Sequence, residues 1–332
     1  MRKIIAFLLR KLSIKLQHIE SAIKIKDQKN KKRKYSSVAK ATRRQQEHKE
    51  EIRDLVISYE KTTRDLAETM EFPFLALSKN RRKPIIYESP DGKIKTKVTP
   101  LSGYFVPTIY DWDIILFLAG KLQEILNKQL DIPPRMVVFP RHEILKALHK
   151  HDGKKEEKDL MASLNRLRST EIKTTIRNED LQYSAAFSFI DSWEYTKRKE
   201  IKEIKVTISQ WLYDGICAKG SLLKVAPTYF DLTSALKRFL YRTARKHIGN
   251  SQETWEFSVQ KLYEKSVSER EFRKFKADLK SAVLENDIPE YSMHWVQRHK
   301  KNFVSFKRSQ IEKIEHVLET IESVSGEEYH KT

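Results

Sequence analysis

The chain has one cysteine in 332 residues, Cys217. A lone thiol can neither close an intramolecular disulfide nor form a Cys-x-x-Cys metal clasp, which fits a reducing compartment. Glycine is scarce at 8 residues, which counts against folds built on glycine-rich phosphate loops. The nearest approach to one, Gly215 followed by Gly220, continues with Ser221 and Leu222 where Lys and Ser or Thr are required. The apolar run Ile4–Leu9 spans six residues, short of the roughly 7–15 of a secretory core and the about 20 of a membrane helix. A cytoplasmic protein with no membrane span is the expectation.

Acidic residues are the other shortage. Asp and Glu number 45 against 65 Lys and Arg, for a net charge of +20 and a pI near 9.7. The excess is uneven, since residues 1–50 hold 16 Lys and Arg against 4 Asp and Glu. Such a balance selects polyanion partners, nucleic acid first and anionic membrane second. What the chain does have is core material: 39% hydrophobic residues, with 15 Phe, 13 Tyr and 5 Trp. At roughly 150 residues per domain the length suggests two domains.

Hydrophobic spacing then lays out the elements. Residues 1–30 predict a basic amphipathic helix, 29–34 (KNKKRK) a solvated linker, and 43–68 a further helix with Leu55, Tyr59 and Leu66 in its stripe. The turn signal Ser89-Pro90-Asp91-Gly92 predicts a hairpin between 85–87 and 94–98. Residues 111–126 are apolar nearly all round, as in a buried helix, with Asp111 placed to cap it. Beyond them a pattern occurs twice. Residues 134–209 read as a short strand, two short helices and strands of period two; residues 228–308 read as a long helix, a short strand, helices at 258–265 and 268–285, and a hairpin. A last helix is expected over 309–324.

In both units the final helix carries hydrogen-bond donors opposite its apolar stripe. On helix 155–168 the back is Leu160, Met161, Leu164 and Leu167, and Lys155, Lys158, Asn165 and Arg166 lie opposite. On helix 268–285 the back is Phe272, Phe275, Leu279 and Val283, with Arg270, Lys274 and the small Ala277 in front and Arg273 and Lys280 at the flanks. Arg and Asn can read guanine and adenine bidentately, and Lys can serve either phosphate or guanine. The hairpin tip Arg298, Lys300, Lys301 and Asn302 is placed as a wing on the backbone or in the minor groove. The long helix 228–248 adds Lys237, Arg238, Arg242, Arg245 and Lys246 on what reads as its outer side. Each cluster alone equally describes an ordinary solvated face; the doubled order points to tandem winged helices that bind double-stranded DNA.

Enzyme motifs fail on the residues. His142-Glu143 opens an HExxH zinc motif, but Lys146 takes the second ligand position. His149-Lys150-His151 lacks the central hydrophobe of the metal-binding strand in rolling-circle nicking enzymes. His294 and His299 are spaced for no metal geometry without further ligands.

From about residue 70 the chain resembles the replication initiator protein A family of bacterial plasmids. The resemblance is carried by 70–80 (MEFPFLALSKN), 108–122 (TIYDWDIILFLAGKL), 164–177 (LNRLRSTEIKTTIR), 187–195 (FSFIDSWEY), 206–216 (VTISQWLYDGI) and, most strongly, 229–249 (YFDLTSALKRFLYRTARKHIG). It implies a non-enzymatic initiator, with no cofactor, that binds repeated origin sites, aids melting and recruits host replication proteins such as a helicase or the host initiator; related systems include homodimers. A winged-helix transcriptional repressor and a nicking enzyme are the alternatives. The expected fold is α+β and helix-rich: a basic helical arm over 1–69, a first winged-helix domain with an N-terminal hairpin over 70–220, a second over 221–308, and a C-terminal helix and tail over 309–332.

Overall fold

The structure is a computed structural model, and it describes residues 63–127, 134–178, 186–198, 201–249 and 252–309. The helix expected over 1–30, the linker 29–34 and the C-terminal helix beyond residue 309 fall outside them.

The described chain opens on strand β1 (Arg64–Leu66) and the one-turn helix α1 (Ala67–Glu71). The sequence placed 64–66 in a helix. Instead this stretch is extended and pairs antiparallel with β8 (Leu222–Lys224), which buries Asp65 and Leu66 beneath the fold. The hairpin β2 (Ile85–Glu88) and β3 (Lys95–Pro100) forms as the turn signal predicts, with Gly92 at φ +69° in a conformation that glycine adopts without strain. Helix α2 (Trp112–Asn127) buries every residue from Trp112 to Gly120, as an apolar all-round sequence requires. Asp111 does not cap this helix with its side chain. Its carboxylate turns back to accept from the Thr108 backbone N–H (2.7 Å) and hydroxyl (3.0 Å).

Next come β4 (Met136–Pro140), α3 (Arg141–Ala147) and α4 (Lys154–Arg168). Strand β5 (Thr170–Thr174) leaves this group and joins the hairpin in the order β2-β3-β5. Strands β6 (Ile190–Arg198) and β7 (Ile201–Ile208) return to β4 in the order β4-β7-β6. Helix α5 (Gln210–Cys217), capped by Ser209, leads to β8.

The long helix expected over 228–248 is broken. Pro227–Asp231 is a 3₁₀ turn, and α6 (Ala235–His247) starts afresh at Ser234, whose hydroxyl accepts from the Lys237 N–H. A Ser N-cap costs less than carrying Thr233 and Ser234 through a helix interior. There follow β9 (Thr254–Ser258), α7 (Val259–Ser266), α8 (Phe272–Glu285), β10 (Tyr291–Arg298) and β11 (Lys301–Arg308). This second sheet runs β10-β11-β9.

The repeat is thus real in three dimensions. Each unit is helix, strand, helix, helix and two-stranded wing, and in each sheet the last strand lies between the first and the second. α2, β4, α3, α4, β6 and β7 make the first winged helix, and α6, β9, α7, α8, β10 and β11 make the second. Both share one continuous apolar core, in which Phe74, Trp112 and Phe189 of the first half and Tyr241, Phe275 and Phe306 of the second are fully buried.

Candidate nucleic-acid interface

Helix α4 is held by its apolar back: Leu160, Leu164 and Leu167 are buried and Met161 is half-buried. Glu157, on a neighbouring turn, fastens the wing to the helix. It accepts from Lys202 Nζ on β7 (2.7 Å), from the Tyr195 hydroxyl on β6 (3.0 Å) and from Arg141 of α3. Those contacts, led by the Lys202 hydrogen bond, lower the pKa of the Glu157 carboxyl. Lys155 and Lys158 are exposed and have no ion pair among the described residues. The other two expected readers are tied to the protein. Arg166 grips the buried Asp111 with two hydrogen bonds, Nε at 2.9 Å and a terminal nitrogen at 2.6 Å, and that bond raises its pKa. Asn165 accepts from the Trp193 indole N–H at 3.3 Å. The free front of α4 is therefore its first two turns.

On the second unit, Phe275, Leu279 and Val283 form the buried back of α8, while Phe272 is 38% exposed and meets the Tyr263 ring edge-on. The helix starts four residues later than the spacing predicted, because the turn at 268–271 is built on Ser266 and Ser268 hydroxyls that accept the next free N–H groups. Arg270 thus precedes the helix and reaches over it to Asp278 at 3.1 Å. Arg273 is exposed with no ion pair among the described residues; Lys274 makes an exposed pair with Glu271 at 3.5 Å; Ala277 and Lys280 are exposed beside them. At the wing, His299 and Lys300 form a two-residue turn with φ of 45° and 62°. Lys300 and Lys301 are exposed, whereas Arg298 holds Glu256 at 2.5 Å and Asn302 accepts from the Trp295 indole at 3.2 Å.

The basic side of α6 is where the structure departs furthest from the sequence. Arg238 and Arg242 are not on an outer face. They are 4% and 6% exposed. Arg238 donates to both oxygens of Asp113 on α2 at 2.7 Å, and to the carbonyls of Leu232 (2.7 Å) and Phe230 (3.1 Å). Arg242 donates to Asp65 at 2.7 Å and to Thr69 at 3.1 Å. Burial works against the Arg238 charge, but Asp113 more than compensates and raises its pKa. Both arginines belong to the second unit and Asp113 to the first, while Asp65 on β1 also accepts from the Trp112 indole N–H of α2 at 2.8 Å, so buried ion pairs tie the two units together directly and through β1. The signal was present in the sequence: an aspartate inside an apolar all-round helix must find a cation.

A third such contact titrates. Glu71 lies 2.6 Å from Lys265 Nζ and 2.7 Å from His247 Nε2. Burial alone would raise its pKa, but the close His247 ring and the Lys265 ammonium bring it down to about 2. A carboxyl depressed in the folded state stabilises above its unfolded pKa and loses that contribution as pH falls through the folded value. Glu71→Gln is expected to cost about 2–3 kcal/mol at neutral pH, to lose that deficit between about pH 4.5 and 2, and so to flatten the acid limb of a urea-denaturation series.

Three likenesses accompany this geometry. A chain from Wigglesworthia glossinidia brevipalpis named "Putative replication protein" is 29% identical over 232 residues, covering 68% of this chain and 82% of that one. The crystal structure of selenomethionine derivatives of domains 2 and 3 of RctB superposes with a TM-score of 0.54 at 13% identity, covering 73% of this chain and 98% of that one, a likeness of fold. The family model described as Replication initiator protein A matches residues 64–293. That span runs from β1 through α8 and into β10, taking in both helix fronts and the ion pairs between them, and the chain belongs to the replication initiator protein A family.

Proposed function

We propose that this replication initiator binds repeated double-stranded sites at its origin through the two winged helices together, α4 and α8 reading bases and the wing at Lys300 and Lys301 holding phosphate. The observation that carries the reading is the repetition: two units of one strand order, each with its last helix presenting unpaired cations over a buried apolar back. Affinity then comes from phosphate neutralisation and specificity from the fronts. Aid in melting and recruitment of host replication proteins belong to the same reading, which the family membership supports; that the chain itself catalyses no reaction is part of the proposal.

The test is footprinting on DNA flanking the gene, with affinity followed against salt. Protection of repeats, and a decrease of log K with log salt by several units, as about 6–10 phosphate contacts give, are expected. A flat salt response on that DNA, or no protected repeat, would overturn the reading.

A further inference from the structure

A strongly basic surface of the described residues lies outside both winged helices. Residues 72–87 and 92–110 contain Lys79, Arg81, Arg82, Lys83, Lys93, Lys95 and Lys97 and not one Asp or Glu. The fold brings the two segments together. The Val106 N–H donates to the Arg81 carbonyl at 2.8 Å, and Ile86 stands opposite Lys97 in the β2–β3 register. Arg81 is used internally, donating to the carbonyls of Lys83, Pro84 and Val267, and Lys95 pairs with Glu88 at 3.3 Å. Lys79, Arg82, Lys83, Lys93 and Lys97 have no ion pair among the described residues. Glu88 and Asp91 lie between the two segments, in the same hairpin, but the seven cations outnumber them.

An exposed ring, two half-buried rings and exposed apolar groups lie beside these cations. Leu101, Ser102, Gly103 and Tyr104 form a tight turn, closed by the Tyr104 N–H on the Leu101 carbonyl at 3.0 Å, with Gly103 at φ +84° where glycine fits. The turn leaves Leu101 52% and Tyr104 38% exposed, and Ile86 nearby is 68% exposed. The Arg82 guanidinium lies over the Phe105 ring at 4.5 Å, and Lys79 Nζ over the Tyr110 ring at 5.8 Å. Cations alone suffice for a duplex backbone, whose bases are stacked out of reach of a protruding ring. Cations flanking a protruding ring match a single strand, whose bases are free to stack.

We propose that this face binds single-stranded DNA, with Tyr104 stacking on a base and Arg82, Lys83 and Lys97 holding the phosphates on either side. Ser78 and Arg81 of this face touch Glu269 and Val267 at the turn before α8, but none of the residues assigned to the helix fronts takes part in the proposed site, so the two readings are tested by different substitutions.

The test uses the full chain and an oligothymidylate of about 16 nucleotides, in two arms. In the first, thymines are replaced by 5-iodouracil and the photocrosslinked peptide is mapped; the peptide containing Tyr104 is expected. In the second, fluorescence anisotropy compares variants: Tyr104→Ala is expected to bind the oligonucleotide about 10-fold more weakly and Tyr104→Phe as well as the natural chain, with both unchanged on duplex DNA flanking the gene. Crosslinks confined to residues 1–50, an unchanged affinity in Tyr104→Ala, or an equal loss on duplex would each overturn the proposal. Lack of duplex binding by the natural chain would instead overturn the reading of the helix fronts.

Discussion

Arg238→Met is expected to destabilise the unit formed by the two winged helices by about 3–5 kcal/mol at neutral pH, read as a drop in the urea midpoint at constant m-value. The residue is 4% exposed, and its loss strands three acceptors at once: the Asp113 carboxylate, the Leu232 carbonyl and the Phe230 carbonyl. Asp113 is the costly one. It is 1% exposed, burial already pushes its carboxyl up, and Arg238 is the main force holding it down. In the variant that restraint disappears. A group whose folded pKa lies above its unfolded value regains stability as pH falls through the folded pKa, because it can then be buried neutral. Arg238→Met should therefore be penalised most at neutral pH and least in mild acid, the same direction as Glu71→Gln but set by a raised rather than a depressed carboxyl. The pair Asp113→Leu with Arg238→Met should recover most of the loss, since two apolar side chains bury no charge. It should not recover all of it, because the Leu232 and Phe230 carbonyls lose the Arg238 donor. A single substitution that costs under about 1 kcal/mol would show that solvent reaches the pair.

How much of this was legible follows from what sequence periodicity can carry. The doubled order of short strand, two helices and closing strands was read directly over 134–209 and 228–308, because period 3.6 and period 2 alternate there; helix 111–126, which opens the first unit, was read as a buried helix outside the repeat. The apolar backs of α4 and α8 were also read, down to Leu164, Leu167, Phe275 and Leu279. The polar side was harder. A helical wheel divides residues into apolar and charged, and assigns every Arg to solvent. It cannot show that Asp65, Asp111 and Asp113 return from other elements to meet Arg242, Arg166 and Arg238. Thus α6 read as a basic outer face although its arginines are internal, and Arg166 read as a base reader although its fork is filled by a carboxylate. The same blindness hid the 79–105 face. Its cations lie on two loops and a strand that no single period connects, and only tertiary pairing makes them one surface.

Inserting about five base pairs, half of a helical turn of roughly 10.5, between the two halves of one binding site is expected to lower affinity about 10²–10³-fold. The reason lies in the rivets rather than in the readers. Two winged helices on a flexible linker would follow a displaced half-site around the duplex, because ordering a loop costs little. Here the second unit is fixed to the first by Arg238–Asp113, Arg242–Asp65 and Lys265–Glu71, by the Tyr110 hydroxyl donating to the Thr233 carbonyl at 2.5 Å, and by Arg245 donating to the Lys224 carbonyl at 2.7 Å. Rotating α8 by half a turn of DNA relative to α4 would break several of these at once, at a cost near that of losing one half-site. A rigid pair must then release one front, and the protected footprint should shrink to a single half. An insertion of a full turn should not restore binding either, because the fixed span cannot lengthen by about 35 Å. The charge-reversed variant Arg273→Glu/Lys274→Glu, both on the exposed front of α8, supplies the reference. It should bind the uninterrupted site about as weakly as the natural chain binds the interrupted one, and the insertion should then add little further loss. A natural chain that tolerates the five-pair insertion with a full footprint would show that the two units turn independently, and that the buried pairs stabilise the fold without setting the spacing it reads.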